Sequence, residues 1–162
     1  MKRILLLPGE YRISHGPEEI ETLVGSCVSV CLYNTKTGLA AMNHFLQDKP
    51  ADISTGDIGQ YGSTATEYIL RVLLAADPIA GHYVAQIFGG AAVIKTTSKD
   101  YQIGDNNIII AHRVLAAHRV HVIRQEVGGT RGRRIRFNTS TNTVFCRFAG
   151  QVGKKYNQRE GG

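Results

Sequence analysis

The stretch Thr22-Leu-Val-Gly-Ser-Cys-Val-Ser-Val-Cys-Leu-Tyr33, with its return Leu39-Ala-Ala-Met-Asn-His-Phe45, constrains the fold more than any other part of the chain. It reads as a β-hairpin whose outgoing strand begins at Cys27. Val28, Val30 and Leu32 share one face, and Cys27, Ser29, Cys31 and Tyr33 share the other. The connecting Asn34-Thr-Lys-Thr-Gly38 is polar and ends in glycine, as a hairpin loop with a left-handed residue does. A turn centred between Thr35 and Lys36 sets Cys27 directly opposite His44. Opposed residues have Cβ atoms about 4.5–5.5 Å apart, so register alone brings a thiol within reach of an imidazole.

That pairing makes an enzyme worth considering. Gly25-Ser26 before the cysteine allows a tight bend and leaves room for a substrate, and backbone N–H groups around such a bend are natural oxyanion donors. A neighbouring imidazole favours the thiolate, the reactive form. An arbitrary cysteine is more often a small buried apolar residue; the glycine and the opposed histidine are what set Cys27 apart. His44 alone reads as an ordinary strand residue. A third group to orient its ring is not dictated by spacing: Thr22, just upstream of the cysteine, is one candidate, and Ser26, Ser29 and Asn43 are others.

At 162 residues, 43% of them apolar, the chain suits one globular domain with a sizeable core. No apolar run approaches the roughly 18 residues of a membrane span. Ile4-Leu-Leu-Leu7, stopped by Pro8, is too short for a signal-peptide core, so a cytoplasmic location is expected. Three cysteines do not make a disulfide framework there. Cys27 and Cys31 lack a second cysteine pair and His118 and His121 lack companion ligands, so no metal site is expected. The net charge of +6 is uneven: residues 1–112 carry 8 Lys/Arg and 11 Asp/Glu, residues 113–162 carry 11 and 2. An acidic partner fits that asymmetry, and so does a solvated basic face.

In chain order, Met1 to Ser14 reads as two extended pieces around a Pro8-Gly9 turn, and Glu18 to Glu21 as an acidic lead-in to the hairpin. Leu46 to Gly59 reads as a loop long enough to be a lid. A helix is predicted from Tyr61 or Ser63 to Ala76, with Ala65, Tyr68, Ile69, Val72, Leu73 and Ala76 at helical spacing. Tyr83 to Phe88 is a strand that Ala91 to Ile94 extends past Gly89-Gly90. Thr96 to Asn106 reads as polar loop, with Asp105 capping a second helix to Ala117 whose inner face holds Ile109, Ile110, Val114 and Leu115. Val120 to Val127 is a strand, and Arg134 to Asn138 with Thr143 to Phe148 a closing hairpin. The domain is expected over 1–148, followed by a disordered basic tail over 149–162. Strands outnumbering two helices predict an α+β sandwich with the helices covering part of a mixed sheet.

The glycine-rich pieces are not nucleotide motifs. Phe88-Gly-Gly-Ala91 is no dinucleotide fingerprint, and Gly128-Gly-Thr-Arg-Gly-Arg-Arg134 lacks the Gly-Lys-Ser/Thr of a phosphate loop. The latter reads as an Arg-rich turn for carboxylate or phosphate, or as a bent connection with solvated arginines. Nucleic-acid binding needs more aromatic interleaving than Phe137, Phe145 and Phe148 supply.

Thr22-Leu-Val-Gly-Ser-Cys-Val28, Met42-Asn-His-Phe45, Tyr61-Gly62, Phe88-Gly-Gly-Ala91, Ile103-Gly-Asp-Asn-Asn107 and Gly128-Gly-Thr-Arg-Gly-Arg-Arg134 resemble, in order and spacing, the motifs of the CheD family. These are the chemoreceptor glutamine deamidases of bacterial and archaeal chemotaxis. The resemblance runs from about Pro8 to Arg147. It implies a three-layer α/β/β sandwich and a Cys–His pair that falls on Cys27 and His44. It implies a threonine five or six residues before the cysteine as third member, which Thr22 matches; the proline common after the histidine motif is absent, Gln47 standing after Leu46. It further implies hydrolysis of receptor glutamine side chains through a thioester, no cofactor, and binding to CheC, a phosphatase of the chemotaxis response regulator. A non-catalytic adaptor that binds CheC or receptors is the alternative.

Overall fold

The computed structural model describes residues 1–51, 57–93 and 98–150. Among these residues nine strands and two α-helices follow one another as β1 (Lys2–Leu5), β2 (Tyr11–Ser14), β3 (Glu18–Val24), β4 (Val28–Asn34), β5 (Ala40–Asn43), α1 (Gly62–Ala76), β6 (Tyr83–Gly89), α2 (Ser98–Ala117), β7 (His121–Val127), β8 (Arg133–Asn138) and β9 (Thr143–Phe148). The strands form a four-stranded sheet, β1-β3-β8-β9, and a five-stranded sheet, β2-β5-β4-β6-β7. Parallel pairing of β1 with β3 and of β6 with β7 makes both sheets mixed.

Strand β4 explains the layering. All seven of its residues are buried, which a strand reaches only when both faces are covered. Val28, Val30 and Leu32 pack with Phe45, Ala65, Ile69, Leu73, Ile110 and Leu115, so this face meets the helices. Cys31 and Tyr33 pack with Ile20, Val24, Met42, Phe88, Ile135 and Phe137, so the other face meets the four-stranded sheet. The result is the expected α+β sandwich in three layers. At the entry to α1 a Cβ on Gly62 would lie 2.5 Å from Phe45 and 2.6 Å from Ile110, so only glycine lets the helix start this close to the core.

Several local expectations shift. Glu18–Glu21 is no mere lead-in but the first half of β3: Glu18, Ile20, Thr22 and Val24 point inward between the sheets while Leu23 is exposed. The two N-terminal extended pieces do not pair with each other; β1 joins β3 and β2 joins β5, in different sheets. Helix α2 begins at Ser98, seven residues before Asp105, and Ile109 is half exposed while Ile110, Ala111 and Leu115 face the core. In α1, Ala65, Ile69 and Leu73 face the core as expected, but Tyr68 and Ala76 are exposed. Strand β6 ends at Gly89 rather than running on, because Gly89 and Gly90 take φ of +112° and +70°. Residues 52–56 of the expected lid, Ile94 of the expected strand extension, Thr96 and Thr97 of the expected loop and 151–162 of the expected tail lie outside the described residues.

The hairpin register also differs. Cys31 pairs with Met42, Leu32 with Ala41 and Tyr33 with Ala40, and Val28 bridges Phe45. The turn is therefore centred between Lys36 and Thr37. Asn34 causes the change: its Oδ1 accepts from Lys36 N at 2.7 Å and Thr37 N at 3.0 Å, and its own N–H donates to Leu39 O at 2.9 Å. Each pairing moves by two residues, and side-chain direction in a strand has period two. Cys27 and His44 thus stay on one face, as diagonal rather than direct neighbours, with a typical Cβ separation of up to about 8 Å.

Candidate active site

Cys27 sits in a bend, one residue before β4 rather than at its first position. That bend is held by its carbonyls. Gly25 O accepts from Ala91 N at 2.9 Å, Ser26 O from Asn107 Nδ2 at 2.9 Å and Cys27 O from Gly90 N at 2.9 Å. The backbone approach at Gly89 is so close that a Cβ there would lie 2.2 Å from Cys27 O. The second glycine pair locks the first in place, since Gly128 N donates to Gly89 O and Ala92 N to Gly129 O, both at 2.9 Å. Arg133 belongs to this scaffold as well: it is buried, and its Nη1 donates to Gly128 O at 3.0 Å. Of the arginines in that turn, Arg131 and Arg134 are exposed, and Arg131 stacks 4.5 Å from the Phe148 ring.

His44 follows β5 on the face that Met42 presents to the four-stranded sheet, where Thr22 points inward from β3. Its backbone is fixed on both sides, with His44 N donating to Glu10 O at 3.0 Å and Gly9 N donating to His44 O at 2.8 Å. The ring is fixed by Thr22, whose Oγ1 lies 2.7 Å from His44 Nδ1 and 2.7 Å from Leu6 O. Those two contacts assign the tautomer. A hydroxyl has one proton, and Leu6 O can only accept, so Thr22 donates to Leu6 and accepts from His44 Nδ1–H. The neutral ring then carries its lone pair on Nε2, which is buried and has no hydrogen-bond partner among the described residues.

Of the four candidates for a third group, the structure brings only Thr22 to the imidazole. Asn43 faces the helices instead, accepting from Val30 N at 2.8 Å and donating to Thr66 Oγ1 at 3.2 Å. Ser29 Oγ is buried with no partner among the described residues, and Ser26 contributes its backbone carbonyl to the bend. Burial lowers the His44 pKa to about 4, with Glu10 pulling weakly the other way. Burial also raises the Cys27 thiol, partly offset by its own backbone N–H. The resting pair is therefore thiol and neutral imidazole, not the thiolate that adjacency alone suggests. No hydrogen bond joins the two among the described residues, since Nε2 has no partner; a thiol and a neutral imidazole brought into contact can pass the proton to Nε2 as the sulfur attacks a carbonyl carbon.

Thr22→Val keeps the shape at position 22 and removes both bonds. It is expected to lower turnover about 10–100-fold by freeing the tautomer and ring angle, and to cost about 1–2 kcal/mol. Steady-state kinetics with urea denaturation checks both.

Sequence reasoning missed Asn107 and the glycine clamp as parts of this site. Both lie in quoted motifs, but nothing in a motif says that a helix amide reaches the bend from 81 positions away.

Comparison with known proteins shows the family. Residues 46–148 match the family model described as CheD chemotactic sensory transduction. The chain belongs to the CheD family. It is 36% identical to the probable chemoreceptor glutamine deamidase CheD of Trichlorobacter lovleyi, over 98% of this chain and 95% of that protein. It is 31% identical to the probable chemoreceptor glutamine deamidase CheD 1 of Anaeromyxobacter dehalogenans, over 90% and 84% of the two chains. The corresponding CheD of Agrobacterium fabrum is 34% identical over 84% and 74%. The family-model match begins after His44. Among the described residues of this CheD-family chain no helix is long and apolar enough to cross a membrane.

Proposed function

We propose that this chain hydrolyses glutamine side chains in the cytoplasmic domains of chemoreceptors, releasing ammonia and leaving glutamate. Cys27 is the nucleophile, His44 the general base and acid, and Thr22 the group that sets the imidazole. His44 Nε2 takes the Cys27 proton as Sγ bonds to the side-chain carbonyl carbon. The oxyanion is met by backbone N–H groups of the Gly25–Ser26–Cys27 bend. The protonated imidazole then gives its proton to the departing nitrogen, the C–N bond breaks and ammonia leaves a thioester. Water attacks the thioester, passes a proton to Nε2, and breaks the C–S bond, so that glutamate is released and the thiol restored.

The observation that carries this reading is the Thr22–His44 bond in the tautomer that leaves Nε2 free to act as a base. The names of the relatives support the substrate. No metal or organic cofactor enters the reaction, and the reaction belongs in the cytoplasm, where receptor signalling domains lie. Binding to a CheC-type phosphatase is part of the same proposal and rests on the family resemblance.

Incubation with a purified receptor cytoplasmic fragment, followed by peptide mass spectrometry, tests it. Conversion of particular glutamines to glutamate, with one ammonia released per site, is expected. Absence of conversion with receptor or CheC binding retained would make the chain an adaptor. Exposed Arg131 and Arg134 suit the acidic surface of receptor adaptation helices. Replacing both with glutamine is expected to weaken fragment binding several-fold and flatten its salt dependence, read by titration at two ionic strengths. Arg133 is left out because it holds Gly128.

A further inference from the structure

Asn107 is fully buried on α2, and its amide makes two bonds that meet at the site. Nδ2 donates to Ser26 O at 2.9 Å and to Leu46 O at 3.0 Å. Both partners are carbonyls, so the NH2 group must face them and the amide cannot be flipped. Its Oδ1 is buried with no partner among the described residues. A buried acceptor left unbonded is destabilising, a cost set against the two carbonyls that the same amide satisfies.

The two carbonyls are not arbitrary. Ser26 C=O belongs to the peptide whose N–H is that of Cys27. In a trans peptide, and the described residues contain no cis one, C=O and N–H point in opposite directions. Holding Ser26 O against α2 therefore aims the Cys27 N–H away from α2. Leu46 is two residues past His44, and the observed register carries it opposite Cys27. One side chain thus joins the peptide before the nucleophile to the strand end that carries the base. Close packing of Gly104 on Gly90, where a Cβ would lie 2.3 Å from Gly90 O, keeps α2 against the same bend.

We propose that Asn107 is a positioning residue: its amide sets the Ser26–Cys27 peptide so that the Cys27 N–H meets the substrate oxyanion, and it holds Cys27 and His44 in register. This rests on the deamidase reading above.

Asn107→Leu keeps the shape and removes both donors, and Asn107→Ala removes the same donors while leaving room for water. Tyr83→Phe is the control, losing buried bonds to Leu73 O (2.6 Å) and Asp77 O (2.8 Å) at the far end of α1. With a receptor fragment as substrate, kcat is expected to fall about 10–100-fold in both Asn107 variants, less than the roughly 10²–10³-fold of a deleted oxyanion donor because the Cys27 N–H is misaimed rather than removed. KM is expected to stay within about twofold, since fragment docking is untouched. Tyr83→Phe should lower Tm and leave kcat unchanged. The rate of Cys27 alkylation by iodoacetamide, followed against pH, should shift to higher pH in the Asn107 variants only. Wild-type kcat and alkylation profile in folded Asn107 variants would overturn the proposal, as would a loss of kcat no greater than that of Tyr83→Phe. Failure of both variants to fold would make Asn107 a folding residue and overturn it too. If wild type converts no receptor glutamine, the deamidase reading fails, and the alkylation profiles still decide whether Asn107 positions Cys27.

Discussion

Cys27→Ala is expected to reduce glutamine conversion by about 10⁴-fold or more, to the level of the uncatalysed reaction within assay limits. In the proposed mechanism the Cys27 sulfur bonds to the substrate carbon, and among the described residues the other cysteines are not placed to substitute for it. Cys31 is fully buried on β4, and Cys146 lies on β9 with its pKa raised by burial to about 12. Stability should change by less than about 1 kcal/mol, because Cys27 is only partly buried and its position is held by backbone bonds rather than by the thiol. A folded, receptor-binding, inactive protein is the predicted outcome. Mass spectrometry of the substrate and thermal unfolding of the variant read it directly; retained conversion would mean that the nucleophile lies elsewhere.

His44→Gln carries the second largest effect, an expected fall of about 10³-fold in turnover, since in the proposed mechanism the same ring nitrogen takes the thiol proton and later delivers it. The substitution should also change how stability depends on pH. Burial depresses the His44 pKa from the ordinary 6.5 to about 4, so between those values the unfolded chain binds a proton that the folded chain refuses. Stability from this group is complete above pH 6.5 and is lost as pH falls toward 4, by on the order of 3 kcal/mol. Glutamine does not titrate, so the variant should lose less stability over that window. Carboxylates such as Glu18, held low by Arg12, act in both proteins and cancel in the comparison. Urea unfolding of the two proteins at pH 7, 5.5 and 4.5 checks it, and parallel curves would show that His44 is not buried neutral.

Much of the site was legible because it depends on local rules. Alternation along 27–33 placed Cys27, Ser29, Cys31 and Tyr33 on one face, and period two kept His44 on that face even though the turn was misplaced. The misplacement has a specific cause: Asn34 folds its own side chain into the turn, and five polar residues do not announce which of them does so. Ile109 lies off the inner face because helical spacing defines a stripe but not its centre, which packing against α1, β4, β6 and β7 decides.

What the sequence alone determined is the chemistry on offer: a cysteine after Gly-Ser, a histidine on the returning strand, and a threonine five residues upstream. Local periodicity and turn composition suffice for that, because they act over a few residues. Only the tertiary structure decided where the Thr22 hydroxyl proton goes, and therefore which nitrogen of His44 is left without a proton. Thr22 reaches that ring across the gap between two sheets, and Asn107 reaches the cysteine bend from a helix in the third layer. Contacts between layers depend on how whole faces stack, and no spacing within one strand encodes them.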